Sequence, residues 1–108
     1  MSESVADVET IAMQVILAAG NARSEAYEAL RSAKRGDFGA AAEHMANSER
    51  ELNAAHKIQT ELIQAEAAGR SIPLGLLMVH AQDHLMTAIS EQALIREMID
   101  LYKRLLGE

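Results

Sequence analysis

The sequence predicts an all-α protein, an antiparallel up-down-up bundle of three helices. Three observations carry that expectation. Alanine, the best helix former, occupies 20 of 108 positions. Turn punctuation is sparse, with one proline and six glycines, too little for the many turns of an all-β fold. Aromatic residues make up only 3%, whereas strands are enriched in them. The length suits one domain spanning 1–108.

The helices are expected over residues 5–35, 38–68 and 73–106. Ser4 with Asp7 resembles a capping box at the start of the first. Its end lies at Lys34-Arg35-Gly36-Asp37-Phe38. Two cations suit a helix C-terminus, Gly36 suits the left-handed position beyond it, and Asp37 can cap the next helix. The second helix ends at Gly69-Arg70-Ser71-Ile72-Pro73. There Ser71 or Ile72 precedes the third helix and Pro73 sits in its first turn. Gly20, inside the first helix, costs about 1 kcal/mol relative to alanine and is expected at a close helix contact. Gly39 falls in the first turn of the second helix, where the cost is smaller. Each helix is about 45–50 Å long at 1.5 Å per residue, and equal lengths with tight turns favour antiparallel neighbours. The methionines are expected as core filler.

The third helix carries a heptad seam of Leu74, Met78, Ala81, Leu85, Ala88, Gln92, Ile95, Ile99, Tyr102 and Leu106, with Gln92 its one strongly polar member. Leu76, Leu77, Val79, Met86, Ile89, Ala93, Leu94 and Met98 lie beside it. A helix apolar around most of its girth is not satisfied by two neighbours. The surplus predicts burial against further copies of the chain, closed around a symmetry axis.

Charge and composition exclude several function classes. Ten Lys and Arg against sixteen Asp and Glu give a net charge of −6, unsuited to phosphate backbones or to an anionic membrane surface. There is no cysteine, so disulfide, thiolate and cysteine–metal chemistry are excluded. No apolar run approaches the roughly 20 residues that span a bilayer. Met1-Ser2-Glu3-Ser4 does not look like the start of a secretory signal, and the expected location is the cytoplasm.

The chemistry-bearing residues cluster in Val79-His80-Ala81-Gln82-Asp83-His84-Leu85-Met86-Thr87. At about 100° per residue, His80, Asp83, His84 and Thr87 fall within one arc of roughly 100°. Polar groups on an apolar helix are costly unless partnered. Three readings of the His80–His84 pair are open. They are satisfied helix histidines; or zinc ligands at i and i+4; or they include a catalytic imidazole, whose neutral nitrogen is a good nucleophile. The hydrolytic zinc pattern needs a Glu after the first His, and Ala81 stands there. Copies of Asp83 would converge if the helix faces a symmetry axis. Their repulsion is relieved by a divalent ion with oxygen ligands, Mg2+ first among them. His56 and Gln59, at i and i+3 on the second helix, are either interfacial polar groups or contacts to the His80 region. His44 reads as a surface residue. Besides a catalytic imidazole, a zinc-holding bundle and a coiled-coil interaction module whose polar strip sets register fit these features.

The octet Val79-His80-Ala81-Gln82-Asp83-His84-Leu85-Met86 resembles the signature of the lactose/cellobiose-type enzyme IIA of the bacterial sugar phosphotransferase system, a family that includes the diacetylchitobiose type. Gly20-Asn21-Ala22-Arg23-Ser24, Glu28-Ala29-Leu30, Gly36-Asp37-Phe38 and Ala55-His56-Lys57-Ile58-Gln59-Thr60-Glu61-Leu62-Ile63 resemble the family's pattern too. The resemblance runs from about residue 8 to residue 106. It implies a three-helix bundle assembled as a homotrimer. It also implies a phosphotransferase component with a phosphohistidine intermediate. His80 accepts a phosphoryl group from phospho-HPr and passes it to a cysteine of the cognate enzyme IIB, while a disaccharide enters through the membrane enzyme IIC. Asp83 of each subunit holds a divalent cation on the trimer axis. Attack is expected through Nε2 of His80, with Gln82, His84 and Gln59 orienting the ring or the phosphoryl oxygens. Neither nucleic acid nor direct membrane insertion is expected.

Overall fold

The structure is a computed structural model that describes the backbone of residues 5–107 and side chains from Asp7 onward. The expected capping box at Ser4 lies outside the described residues. Three helices follow one another: α1 (Val5–Lys34), α2 (Phe38–Ala67) and α3 (Leu76–Leu105). Each has 30 residues, about 45 Å at the α-helical rise. The described chain measures 55 × 21 × 18 Å, so the three rods lie side by side and alternate in direction. No strand occurs among the described residues.

Both turns use the predicted glycines. Gly36 has φ +80°. Its N–H reaches Ala33 O at 3.0 Å, and that of Asp37 reaches Ser32 O at 2.9 Å, which is the paired Schellman termination. The Asp37 side chain then accepts from Ala40 N at 3.1 Å, capping α2 as expected. Gly69, at φ +93°, ends α2 in the same way. Gly69 N bonds Glu66 O and Arg70 N bonds Ala65 O, both at 3.0 Å.

The start of α3 departs from expectation. Gly75 is its N-cap, extended and without a side-chain cap, so neither Ser71 nor Ile72 initiates the helix and Pro73 lies in the connector. A helix begun at Pro73 would enclose Gly75, at about 1 kcal/mol relative to alanine. At the N-cap a glycine loses only a few tenths against the favoured polar residues.

Helix α1 lies against both neighbours and is lined with alanines. Ala12, Ala19, Ala22, Ala26, Ala29 and Ala33 are all buried, and small side chains let α2 and α3 approach closely. The core falls into two clusters. One is built on Val15, Leu52, Met78 and Leu85; the other, toward the α1–α2 turn, on Met45, Ile95 and Ile99. Between them runs a buried polar link. Ser48 Oγ donates to Ala22 O at 2.7 Å, and Gln92 Nε2 donates to Ser48 Oγ at 2.9 Å. The one polar member of the α3 seam is thereby satisfied.

From Met78 to Ile99 every seam position of α3 is buried, whereas Leu74 and Leu106 are exposed and Tyr102 is half-buried. The apolar residues beside the seam divide into two groups. Leu77 and Ile89 pack on the core. Leu76, Met86 and Leu94 remain 85%, 53% and 57% exposed, and Val79 and Met98 are exposed as well. Two expectations fail. Gly20 is not at a close contact, since a Cβ there would meet nothing within 4 Å. Of the described methionines only Met45 and Met78 are core, while Met13, Met86 and Met98 are exposed. Among the described residues, no helix is long and apolar enough to cross a membrane.

Candidate functional site on helix α3

The helical arc predicted for His80, Asp83, His84 and Thr87 forms one wall of a shallow open recess, and Arg23 of α1 completes it. The two imidazoles meet edge to face, with ring centroids 4.4 Å apart and planes at 80°. Nε2 of His84 lies 3.0 Å from Nε2 of His80. One of these nitrogens donates and the other accepts, so a single hydrogen bridges the rings. The i,i+4 spacing turns the two Nε2 edges toward each other, so His84 engages the nitrogen through which attack is expected, and among the described residues no hydrogen bond engages Nδ1 of His80.

Thr87 is the hinge of the cluster. Its hydroxyl donates to Asp83 O at 2.8 Å and accepts from Nη2 of Arg23 at 2.7 Å. Nε of Arg23 lies 2.9 Å from Oε1 of Glu91. Its N–H does not point at that oxygen, and the buried Nε atom has no hydrogen-bond partner. Glu91 also accepts from the Tyr27 hydroxyl; this bond, reinforced by the carboxylate's charge, pushes the phenol above its usual range. The half-buried guanidinium is therefore fixed beside the histidines. Arg23 is the site residue that sequence reasoning missed. The available signal was that Arg23 is the only Lys or Arg among residues 1–30 and follows the buried Ala22 directly.

Gln82 and Gln59 are brought together, but not to His80. Gln59 Nε2 donates to Gln82 Oε1 at 2.5 Å. Both line a separate groove with Leu62, Ile63, Ile72 and Met78. Gln82 is two residues from His80, roughly 200° around the helix, and so faces α2. His56 is exposed and makes no hydrogen bond or ion pair among the described residues. His44 is not the bare surface residue expected. It is half-buried, with Nδ1 2.6 Å from Oε2 of Glu25 on α1. Asp83 is exposed. Among the described residues, no three His, Cys, Asp or Glu side chains gather to hold a metal. A single chain offers one hard carboxylate here, which suits a divalent cation only when copies converge.

Comparison with known proteins places the chain in a family. The family model described as PTS system, Lactose/Cellobiose specific IIA subunit matches residues 10–103. The N,N'-diacetylchitobiose-specific EIIA component of Escherichia coli (strain K12) is 46% identical over 99 residues, 92% of this chain and 85% of that protein. The crystal structure of the PTS cellobiose-specific enzyme IIA from Bacillus anthracis is 47% identical, with a TM-score of 0.89 over 98% of this chain and 95% of that one. The solution structure of the IIA(Chitobiose)–HPr complex from Escherichia coli matches at 42% identity and a TM-score of 0.77, covering 96% of this chain and 98% of that one. Family, relatives and fold agree over almost the whole length: the chain belongs to the lactose/cellobiose-specific IIA subunit family and is a phosphotransferase-system IIA component.

Proposed function

We propose that His80 is the phosphoryl acceptor. The chain takes a phosphoryl group from phospho-HPr and passes it to a cysteine of its enzyme IIB, which serves uptake of a disaccharide through enzyme IIC. The observation that carries this reading is the exposed His80 imidazole, held edge-on by His84 in a recess that a permanent cation also lines. The solved IIA(Chitobiose)–HPr complex supports HPr as donor. A carrier that meets HPr works in the cytoplasm.

Phosphoryl transfer between two imidazoles runs through a loose transition state, with charge spread over three equatorial oxygens and donor and acceptor nitrogens in line. The acceptor's task is to present a lone pair in a fixed direction. In the resting pair, Nε2 of His80 faces Nε2 of His84. As phosphorus approaches, the His84 ring gives way and its N–H turns to a phosphoryl oxygen. The Nε2 lone pair of His80 forms the new N–P bond while the donor's N–P bond breaks, and that electron pair returns to the donor ring. An exposed acceptor lets the same face meet HPr and then IIB in turn.

The assembly is a homotrimer in this reading. The exposed stripe of Val79, Met86, Leu94 and Met98 is the surface that copies would cover, and Gln59, bonded to Gln82, lies against Met86 of that stripe. Asp83 of each copy would hold one divalent cation, Mg2+ in the first instance. That ion offsets the mutual repulsion of the carboxylates.

The test is a phosphotransfer assay with enzyme I, HPr and labelled phosphoenolpyruvate, run beside His80→Gln. Acid-labile, base-stable label on the wild type alone is expected. Label retained by His80→Gln overturns the assignment. Label on neither protein favours a zinc-holding bundle.

A further inference from the structure

We propose that Arg23 binds the phosphoryl group carried by His80, supplying the positive charge that the transfer needs. The inference rests on the reading of His80 as phosphoryl acceptor. Arg23 stands on α1, 57 residues before the histidine, and lines the recess with His80, Asp83, His84 and Thr87. It is the one permanent cation among these residues.

Three features point beyond a structural ion pair. First, a guanidinium has five N–H donors in a planar fork. Among the described residues, one of them bonds Thr87, and the Nε proton is buried without an acceptor. The remaining donors are uncommitted, in a geometry that matches phosphoryl oxygens. Second, the group is held from two sides, by Thr87 at 2.7 Å and by Glu91 at 2.9 Å. Its position is set before a ligand arrives, which is what makes electrostatic stabilisation effective. Third, Arg23 is the only fixed positive charge that the chain's own residues bring to the recess. A phosphoryl group carries about −1.5 to −2 near neutral pH. It would arrive beside Asp83 on a chain of net charge −6. A divalent cation held by Asp83 on the axis would answer the carboxylates that converge there, whereas Arg23 places its charge at the phosphoryl group itself.

In the step itself the N–P bond to His80 forms as the donor's N–P bond breaks. Arg23 exchanges no proton and keeps its charge throughout. Its N–H groups follow the equatorial oxygens as charge gathers on them. The arrangement resembles in kind the arginines that stabilise phosphoryl transfer elsewhere, here supplied by the same chain.

The test separates this inference from the reading beneath it. If His80→Gln still takes label from HPr, the acceptor assignment fails first. With His80→Gln blank, the rate of label uptake by rapid quench is expected to fall about 100-fold or more in Arg23→Gln, with Arg23→Lys recovering a substantial part. The double variant Arg23→Gln/Glu91→Gln removes the carboxylate freed by the first change, and should stay as slow. A charge-specific readout is the 31P resonance of the phosphorylated protein. Arg23 opposes Asp83 and Glu91 around the group, with His84 adjacent. Its loss should move the phosphoryl titration midpoint to higher pH, because the dianion loses its cation. Wild-type uptake by Arg23→Gln, an unmoved 31P midpoint, or recovery in the double variant overturns the proposal. Should Arg23→Gln lose its helical signal, Thr87→Val carries the test, since it leaves the Arg23–Glu91 pair in place. Uptake about tenfold slower is expected, and wild-type uptake by Thr87→Val overturns the proposal.

Discussion

Replacing Ser48 by alanine tests how the three helices are held in register around the site. Ser48 joins all of them, donating to Ala22 O on α1 and accepting from Gln92 Nε2 on α3. Ala22 immediately precedes Arg23, so this link pins the turn of α1 that carries the recess cation. In Ser48→Ala the Ala22 carbonyl keeps its helical bond, but the Gln92 amide loses its acceptor between two apolar clusters. A stranded buried donor costs about 1–3 kcal/mol. Gln92→Leu behaves differently. It leaves Ser48 bonded to Ala22 and places an apolar side chain in a seam flanked by Ala88 and Ile95. Arg96 loses only a 3.5 Å contact to Gln92 and keeps Glu49 at 2.6 Å. That change should fall below about 1.5 kcal/mol, the range of volume-conserving swaps. The double variant removes both partners, and replacing both is close to neutral. Urea unfolding at fixed protein concentration reads all three. With a slope of about 2 kcal/mol/M, the Ser48→Ala midpoint falls by roughly 0.5–1.5 M. The Ser48→Ala/Gln92→Leu midpoint recovers most of that loss. A double variant as unstable as Ser48→Ala, or more so, refutes the argument that the stranded amide is the source of the loss.

Asp37→Ala removes the cap on α2 seen at Ala40 N and should cost about 0.5–2 kcal/mol, read by the same urea titration. Leu94→Lys places a charge on the exposed apolar stripe of α3 without touching the monomer core. Sedimentation should show a smaller species than wild type with helical content retained; an unchanged mass would exclude that stripe from the assembly. Asp83→Leu should abolish divalent-cation binding, measured by elemental analysis after dialysis against Mg2+. Equal metal content in variant and wild type would remove Asp83 from the proposed axial site.

The parts of the fold legible in the sequence are those fixed by local chemistry. Gly36 and Gly69 adopt positive φ because each ends a helix in a paired backbone termination that disfavours a Cβ. The α3 seam is buried from Met78 to Ile99 because its four-and-three spacing holds one face toward α1. The start of α3 was misplaced because two local signals compete there. Pro73 favours a first turn, whereas Gly75 opposes being inside one, and the chain satisfies Gly75. His44 was misread because its partner, Glu25, comes from another helix, and spacing within α2 carries no trace of it.

The same division explains the site. The angular placement of His80, Asp83, His84 and Thr87 follows from helix geometry alone, and so does the exclusion of Gln82 from their face. Arg23 could not be found that way, because its place at the recess depends on how α1 packs against α3. That packing is set by the stripe of buried alanines and by the Ser48 link at Ala22. The alanines of α1 therefore do more than favour a helix. By letting α3 approach closely, they bring a guanidinium into reach of Thr87. A larger side chain at Ala22 or Ala26 would separate the helices there and move Arg23 away from the histidines without altering any residue of the recess.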